Sequence, residues 1–151
     1  IELGAGCGLL GIASLALGAS QVFLTDLPEN LPLLEENVEA NIPSHKRRRA
    51  HVAALSWGNA DEASRMGQAP FDVILGSDLM YVPEVVKALV STLSHLCEPG
   101  RTRILMAYGR SRQAEQDFMT CVREHGLLVT HVKSSDLDTD FQCEDVSVIE
   151  V

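Results

Sequence analysis

Apolar and polar positions along the chain alternate between two periods. Short, nearly continuous apolar runs of strand length occur at 21–26, 50–55, 71–78, 103–108, 127–132 and 146–151. Between them lie longer stretches at 9–17, 29–41, 83–97 and 111–125 whose apolar residues recur at helical spacing. The opening residues Ile1-Glu2-Leu3 read as the end of one more buried strand. Runs such as Val73-Ile74-Leu75 and Ile104-Leu105-Met106 suit parallel strands covered on both faces. The punctuation agrees: Gly18 stops the first helix, Pro99-Gly100 closes the third, Ser111 is placed to cap the fourth and Gly126 to end it. Repeated strand–helix units predict an α/β fold, a Rossmann-like doubly wound sheet that is mostly parallel. No helix signal separates the last two strands, which predicts an antiparallel pair at one edge. The polar segment 56–70 reads as a long loop.

Composition narrows the classes. With 151 residues and 46% hydrophobic content the chain supports one domain, 1–151, with a core of its own. No apolar run nears the roughly 20 residues of a membrane-spanning helix. Twelve Lys and Arg against twenty-one Asp and Glu, a net charge of −9, oppose nonspecific nucleic-acid binding. The expected partners are therefore neither nucleic acid nor membrane, and a monomer is expected. Cys7, Cys97, Cys121 and Cys143 show no metal-type spacing and read as free thiols of a reducing compartment, so the expected location is cytoplasmic. The run Lys46-Arg47-Arg48-Arg49 admits the nucleus as a second location, or is a solvated turn. The five histidines form no ligand set, and no metal is expected.

Candidate chemistry concentrates at two strand ends. In Glu2-Leu3-Gly4-Ala5-Gly6-Cys7-Gly8-Leu9-Leu10-Gly11, alternate glycines let the backbone turn sharply from strand to helix and leave no side chain between it and a ligand. The helix that follows aims its free N–H groups into the same crevice, and Asp26 ends the next strand where a carboxylate can accept two ribose hydroxyls. Gly6 to Gly11 formally fits the dinucleotide fingerprint, which favours a nicotinamide-dependent oxidoreductase. The other parse, acidic-x-Gly-x-Gly-x-Gly from Glu2, belongs to S-adenosylmethionine-dependent methyltransferases. A carboxylate at a buried strand end needs a cationic or hydrogen-bonding partner, which the methionine ammonium would supply and a pyrophosphate would not. The second strand end is Gly76-Ser77-Asp78-Leu79-Met80-Tyr81 ahead of Pro83. Asp78 there is either a reacting-site carboxylate or a helix N-cap, and Tyr81 either a site residue or half-buried packing. Trp57, the single tryptophan, follows a strand end, where its ring can stack on a base or fold back over a helix. Cys7 lies within the glycine turn with no nearby histidine and reads as a small residue fitting a tight bend.

The chain resembles the seven-β-strand (class I) protein-lysine methyltransferases of the methyltransferase-like group, which modify chaperones, translation factors and an ATPase, valosin-containing protein. The resemblance is carried by Glu2 to Ile12, Leu24-Thr25-Asp26, Leu55-Ser56-Trp57-Gly58 and the Asp-x-x-Tyr signature Asp78-Leu79-Met80-Tyr81. It implies methylation of a protein lysine with S-adenosyl-L-methionine as cofactor. Glu2, Gly4, Ala5, Gly6 and Gly8 would then bind the cofactor, with Gly4, Ala5 and Gly6 lining its methionine and ribose portion; Asp26 would take the ribose hydroxyls, Trp57 the adenine, Ser77 a backbone contact, and Asp78 and Tyr81 the incoming amine. Members of that group carry a further segment ahead of the first strand, with an aromatic residue that closes over the cofactor; the chain is expected to lack it. Two other readings stand beside this one: an NAD(P)-dependent oxidoreductase, which would want a second domain or a Tyr-x-x-x-Lys pair, and a noncatalytic truncated binding module.

Overall fold

A computed structural model describes residues 1–67, 69–110 and 114–151. Seven strands form one sheet: β1 (Glu2–Leu3), β2 (Val22–Asp26), β3 (Ala50–Ala54), β4 (Val73–Ser77), β5 (Arg103–Gly109), β6 (Thr130–His131) and β7 (Val146–Glu150). Their order is β3-β2-β1-β4-β5-β7-β6, with β7 antiparallel to both neighbours and the other pairings parallel. The chain winds outward from β1 in one direction and, from β4, in the other. That reversal opens a crevice between the carboxyl ends of β1 and β4, where open α/β sheets bind ligands.

Helices cover both faces. Helix α1 (Leu9–Ala16) and α2 (Leu31–Asn41) pack over Val22 and Leu24, with Leu15, Leu34 and Val38 buried between. Helices α3 (Ala60–Arg65), α4 (Pro83–Leu96) and α5 (Glu115–Glu124) cover the larger core on the other face, which holds Leu3, Ile74, Met106, Leu89, Leu93 and Phe118. Alternation along the strands decides this: Val22 and Leu24 face one layer, and Phe23 between them faces the other. The predicted stops at Gly18 and Gly126 close as paired reverse bonds. The Gly18 N–H donates to the Leu15 carbonyl and Ala19 to Ser14; Gly126 donates to Arg123 and Leu127 to Val122.

Four expectations need correction. Segment 56–70 is not all loop, because Asn59 accepts the Glu62 N–H through its side chain and starts α3; that helix buries only Ala63, so it leaves almost no apolar period to read. The second helix begins at Leu31 rather than at 29, after a 3-10 turn (Pro28–Asn30). This start leaves Pro32 in the first helical turn, where its missing N–H costs nothing. The strand foreseen at 127–132 shrinks to two exposed edge residues, Thr130 and His131. The one foreseen at 71–78 ends at Ser77 because Asp78 takes a left-handed φ of 57°. The Ser111 cap lies outside the described residues. All four cysteines are free. Among the described residues, no helix is long and apolar enough to cross a membrane, and no His, Cys, Asp and Glu group could hold a metal ion.

Candidate active site

Strand register assembles the site. Leu3 pairs with Thr25 on one side and Gly76 on the other, while Asp26 pairs with Ala54 and Ser77 with Ala107. The next residue of each strand therefore emerges on one rim, and a cavity of about 370 Å³ opens there. That size suits a small-molecule cofactor. Gly4, Asp26, Asn30, Trp57, Ser77, Asp78, Leu79 and Tyr81 all line it.

The β1 side is a set of carboxylates holding backbone. Asp26, 8% exposed, accepts the Gly6 N–H at Oδ2 (2.7 Å), and the Leu27 N–H (2.7 Å) and Asn30 amide (2.8 Å) at Oδ1. The Ala5 N–H donates to the Thr25 carbonyl at 2.9 Å, so the glycine turn is fastened to the end of β2 twice. Glu2, 3% exposed, does not line the cavity. It accepts the Gly11 N–H at 2.8 Å, in the first turn of α1. Burial pushes the Glu2 carboxyl above its ordinary value, while the backbone N–H groups of Gly11 and Leu10 pull it back. The partner that a buried carboxylate requires thus comes from within the chain, and Glu2 supports the turn from behind.

Two of the turn's glycines are required by space. A β-carbon on Gly4, at φ +56°, would lie 2.7 Å from Leu79 Cδ2 and 3.2 Å from Trp57 Cζ2. On Gly8, at φ +80°, it would lie 2.6 Å from Leu34 Cδ1 and 3.0 Å from Leu24 Cδ2. Gly8 serves the packing of α1 and α2 on the sheet, and neither it nor Ala5 nor Gly6 lines the cavity.

The opposite wall comes from β4 and α4. The Asp78 N–H donates to the Ala107 carbonyl at 2.7 Å, which holds the left-handed corner against β5. Asp78 does not cap α4, whose N-cap is Val82 with no side-chain bond. Leu79, 4% exposed, fills the gap between the strand ends; a β-carbon on Gly76 would also meet it, at 2.7 Å. Tyr81 is 56% exposed at the mouth, so it is not packing. One expected residue of the β1 turn, one at the end of β2, the Trp57 loop and the strand-end corner with its Asp-x-x-Tyr run were legible from residue type, and Gly4, Asp26, Trp57, Ser77, Asp78 and Tyr81 do meet in one cavity. Asn30 and Leu79 were missed. A signal for Asn30 existed in the turn chemistry of Asp26-Leu27-Pro28-Glu29-Asn30; Leu79 gave none.

A reversal of winding with a glycine turn and a strand-end aspartate on its rim defines an α/β domain that binds a nucleoside-containing cofactor. The family model described as lysine methyltransferase matches residues 1–125, and the chain belongs to that family. It is 42% identical over 120 residues to Protein N-lysine methyltransferase METTL21A of Mus musculus, covering 80% of this chain and 53% of that protein. It is 38% identical over 141 residues to EEF1A lysine methyltransferase 3 of the same species, covering 93% and 58%. The chain thus spans little more than half the length of these curated relatives. Among solved structures, the glycopeptide N-methyltransferase MtfA complexed with S-adenosyl-L-methionine superposes with a TM-score of 0.69 at 15% identity, covering 99% of this chain and 78% of that one. The methyltransferase domain of bacterial CtHen1 does so with a TM-score of 0.70 at 15% identity, covering 99% and 86%. The fold is that of these methyltransferases, a seven-stranded mixed sheet with an antiparallel edge.

Proposed function

We propose that the chain is the cofactor-binding core of an S-adenosylmethionine-dependent protein-lysine methyltransferase. The observation that carries the reading, beside the family, is the character of the cavity. Two carboxylates, Asp26 and Asp78, an amide and an indole line it, and no described lining residue is cationic. Such a lining fits a ligand with a diol, a flat base and a positively charged sulfonium and ammonium. It is unfavourable to the pyrophosphate of a nicotinamide dinucleotide, which the oxidoreductase reading requires.

In this reading Asp26 receives the ribose hydroxyls, Trp57 lies against the adenine, and Gly4 and Ser77 present backbone to the remainder. Glu2 stays in its role behind the turn. When bound, the cofactor supplies a methyl group already activated as a sulfonium. The chain's remaining work is to orient the amine, exclude water and handle one proton. A lysine amine must be neutral to attack, and its unperturbed pKa of about 10.4 keeps it charged at pH 7. Leu79, Val85 and the Tyr81 ring make the approach partly apolar, which favours the neutral amine. Asp78 and Tyr81 orient the amine, and Asp78 receives its proton, directly or through water.

A protein lysine is the proposed acceptor. The relatives' names make a translation factor of the EEF1A kind the first substrate to assay, with chaperones and ATPases next. The test is transfer of labelled methyl from S-adenosylmethionine to such a protein, with the modified residue located by mass spectrometry. Methyl-lysine formed by the parent and lost in Asp78→Asn supports the reading. Undiminished transfer by Asp78→Asn removes Asp78 from the chemistry, and label on histidine or a small molecule overturns the lysine acceptor.

A further inference from the structure

Four polar or charged side chains among the described residues are buried: Glu2, Thr25, Asp26 and Thr92. Three of them have been accounted for at the β1 rim: Glu2 holds α1, Asp26 holds the glycine turn, and the Thr25 hydroxyl donates to the Glu2 carbonyl at 2.7 Å. Thr92 is the fourth. It lies 4% exposed in the middle of α4, among the buried apolar residues Leu89, Val90, Leu93 and Leu96. Its hydroxyl donates to the Ala88 carbonyl one turn back (2.9 Å) and accepts the Gly58 N–H (2.8 Å).

That second bond reaches across 34 residues to the one loop carrying the indole. The preceding peptide is held from the other side, where the Glu62 carboxylate accepts the Ser56 N–H at 2.7 Å. The backbone N–H groups on either side of Trp57 are therefore both gripped by side chains from helices, α4 and α3. Close contact completes the grip: a β-carbon on Gly58 would stand 3.3 Å from that of Ala88. The ring so directed passes over Gly4 and forms part of the cavity wall.

We propose that Thr92 is a positioning residue for the cofactor, acting through the Gly58 N–H to hold the Trp57 ring in the plane where it meets the adenine, with Glu62 as the second half of the clamp. The inference rests on the assignment of Trp57 to the adenine. A ring held before the ligand arrives loses little freedom on binding, which is how preorganisation raises affinity. The hydroxyl is the specific requirement: valine has the same shape as threonine but leaves the Gly58 N–H unpaired.

Trp57 is the single tryptophan, so its fluorescence reads the loop directly, without turnover or substrate. Thr92→Val should increase acrylamide quenching of Trp57 and weaken S-adenosylhomocysteine binding roughly three- to tenfold. Thr92→Ser should restore both. Should Thr92→Val fail to give a cooperative urea transition, Glu62→Gln, on the accessible side of the clamp, takes its place with the same two readouts. Unchanged quenching and affinity in the folded variant, beside weakened binding in Trp57→Ala, would overturn the clamp and leave the adenine assignment standing. If Trp57→Ala binds as tightly as the parent, the adenine assignment itself fails, and the proposal with it, even where quenching has changed.

Discussion

On the β1–β2 side of the cavity the carboxylates accept donors from the protein itself. Glu2 is bonded to the first turn of α1 and Asp26 accepts three donors, so the glycine turn is tied to both β2 and α1. On the β4–α4 side the wall opens to solvent at Tyr81. Tyr81 is more than half exposed, and Asp78 stands on a corner fixed by its backbone rather than by a helix cap. The same sheet thus offers a rigid half and an accessible half on one rim. A ligand that is the same in every reaction cycle can be met by a surface shaped beforehand, whereas a protein substrate has to be admitted from solvent. The division of burial between the two walls matches that division of labour.

Substitutions can sharpen this contrast. The largest loss of stability is expected from Gly8→Ala: about 2–4 kcal/mol, combining a left-handed residue with overpacking against Leu34 and Leu24. Gly6→Ala, where a β-carbon meets nothing within 4 Å, should cost only about 1–2 kcal/mol. Equal shifts in the two urea midpoints would show that packing does not distinguish these glycines. Next comes Asp26→Ala, expected to weaken S-adenosylhomocysteine by at least about tenfold, since hydrogen bonds to a charged group contribute roughly 1.5–3 kcal/mol; titration calorimetry reads it.

Glu2 offers a test by pH. Burial raises its folded-state pKa above 4.5, the value it has when exposed. Below that value it is protonated in both states and carries no penalty. As pH rises from 4.5 to the raised value the unfolded chain has released a proton that the folded chain still holds, so the contribution of Glu2 to stability falls there and then levels off. The stability of Glu2→Gln relative to the parent should therefore improve from pH 4.5 toward neutrality, measured as paired denaturation curves. A constant difference would mean that the carboxylate is not desolvated. The smallest effect on stability belongs to the open wall: Tyr81→Ala should change unfolding free energy by no more than about 0.5 kcal/mol, while reducing methyl transfer. A large loss of stability would make Tyr81 a packing residue after all.

These contrasts also explain which parts of the molecule could be read from residue order. The strands of the central sheet were legible because both faces are covered along most of their length, so Ile74-Leu75 and Ile104-Leu105-Met106 are apolar throughout. The edge strand β6, exposed along its length, carries no such constraint, and α3 is held by an Asn59 cap and a Glu62 bond more than by an apolar face. In the site, Gly4, Asp26 and the Asp78–Tyr81 corner announced themselves by residue type at strand ends. Glu2 was assigned toward a ligand because a buried carboxylate needs a partner; that the partner is Gly11 depends on the angle at which α1 leaves the turn. Leu79 and Thr92 are an ordinary leucine and an ordinary helical threonine until the fold sets them against Gly4 and Gly58.

The central claim is that this cavity binds the methyl donor's nucleoside. Calorimetric titration of the chain with S-adenosylhomocysteine, and with NADH in parallel, tests it most directly. Saturable one-to-one binding of the first, lost in Asp26→Ala, with no heat from NADH, is the expected result. A chain that unfolds cooperatively in urea yet takes up no S-adenosylhomocysteine, or that binds NADH instead, would contradict it.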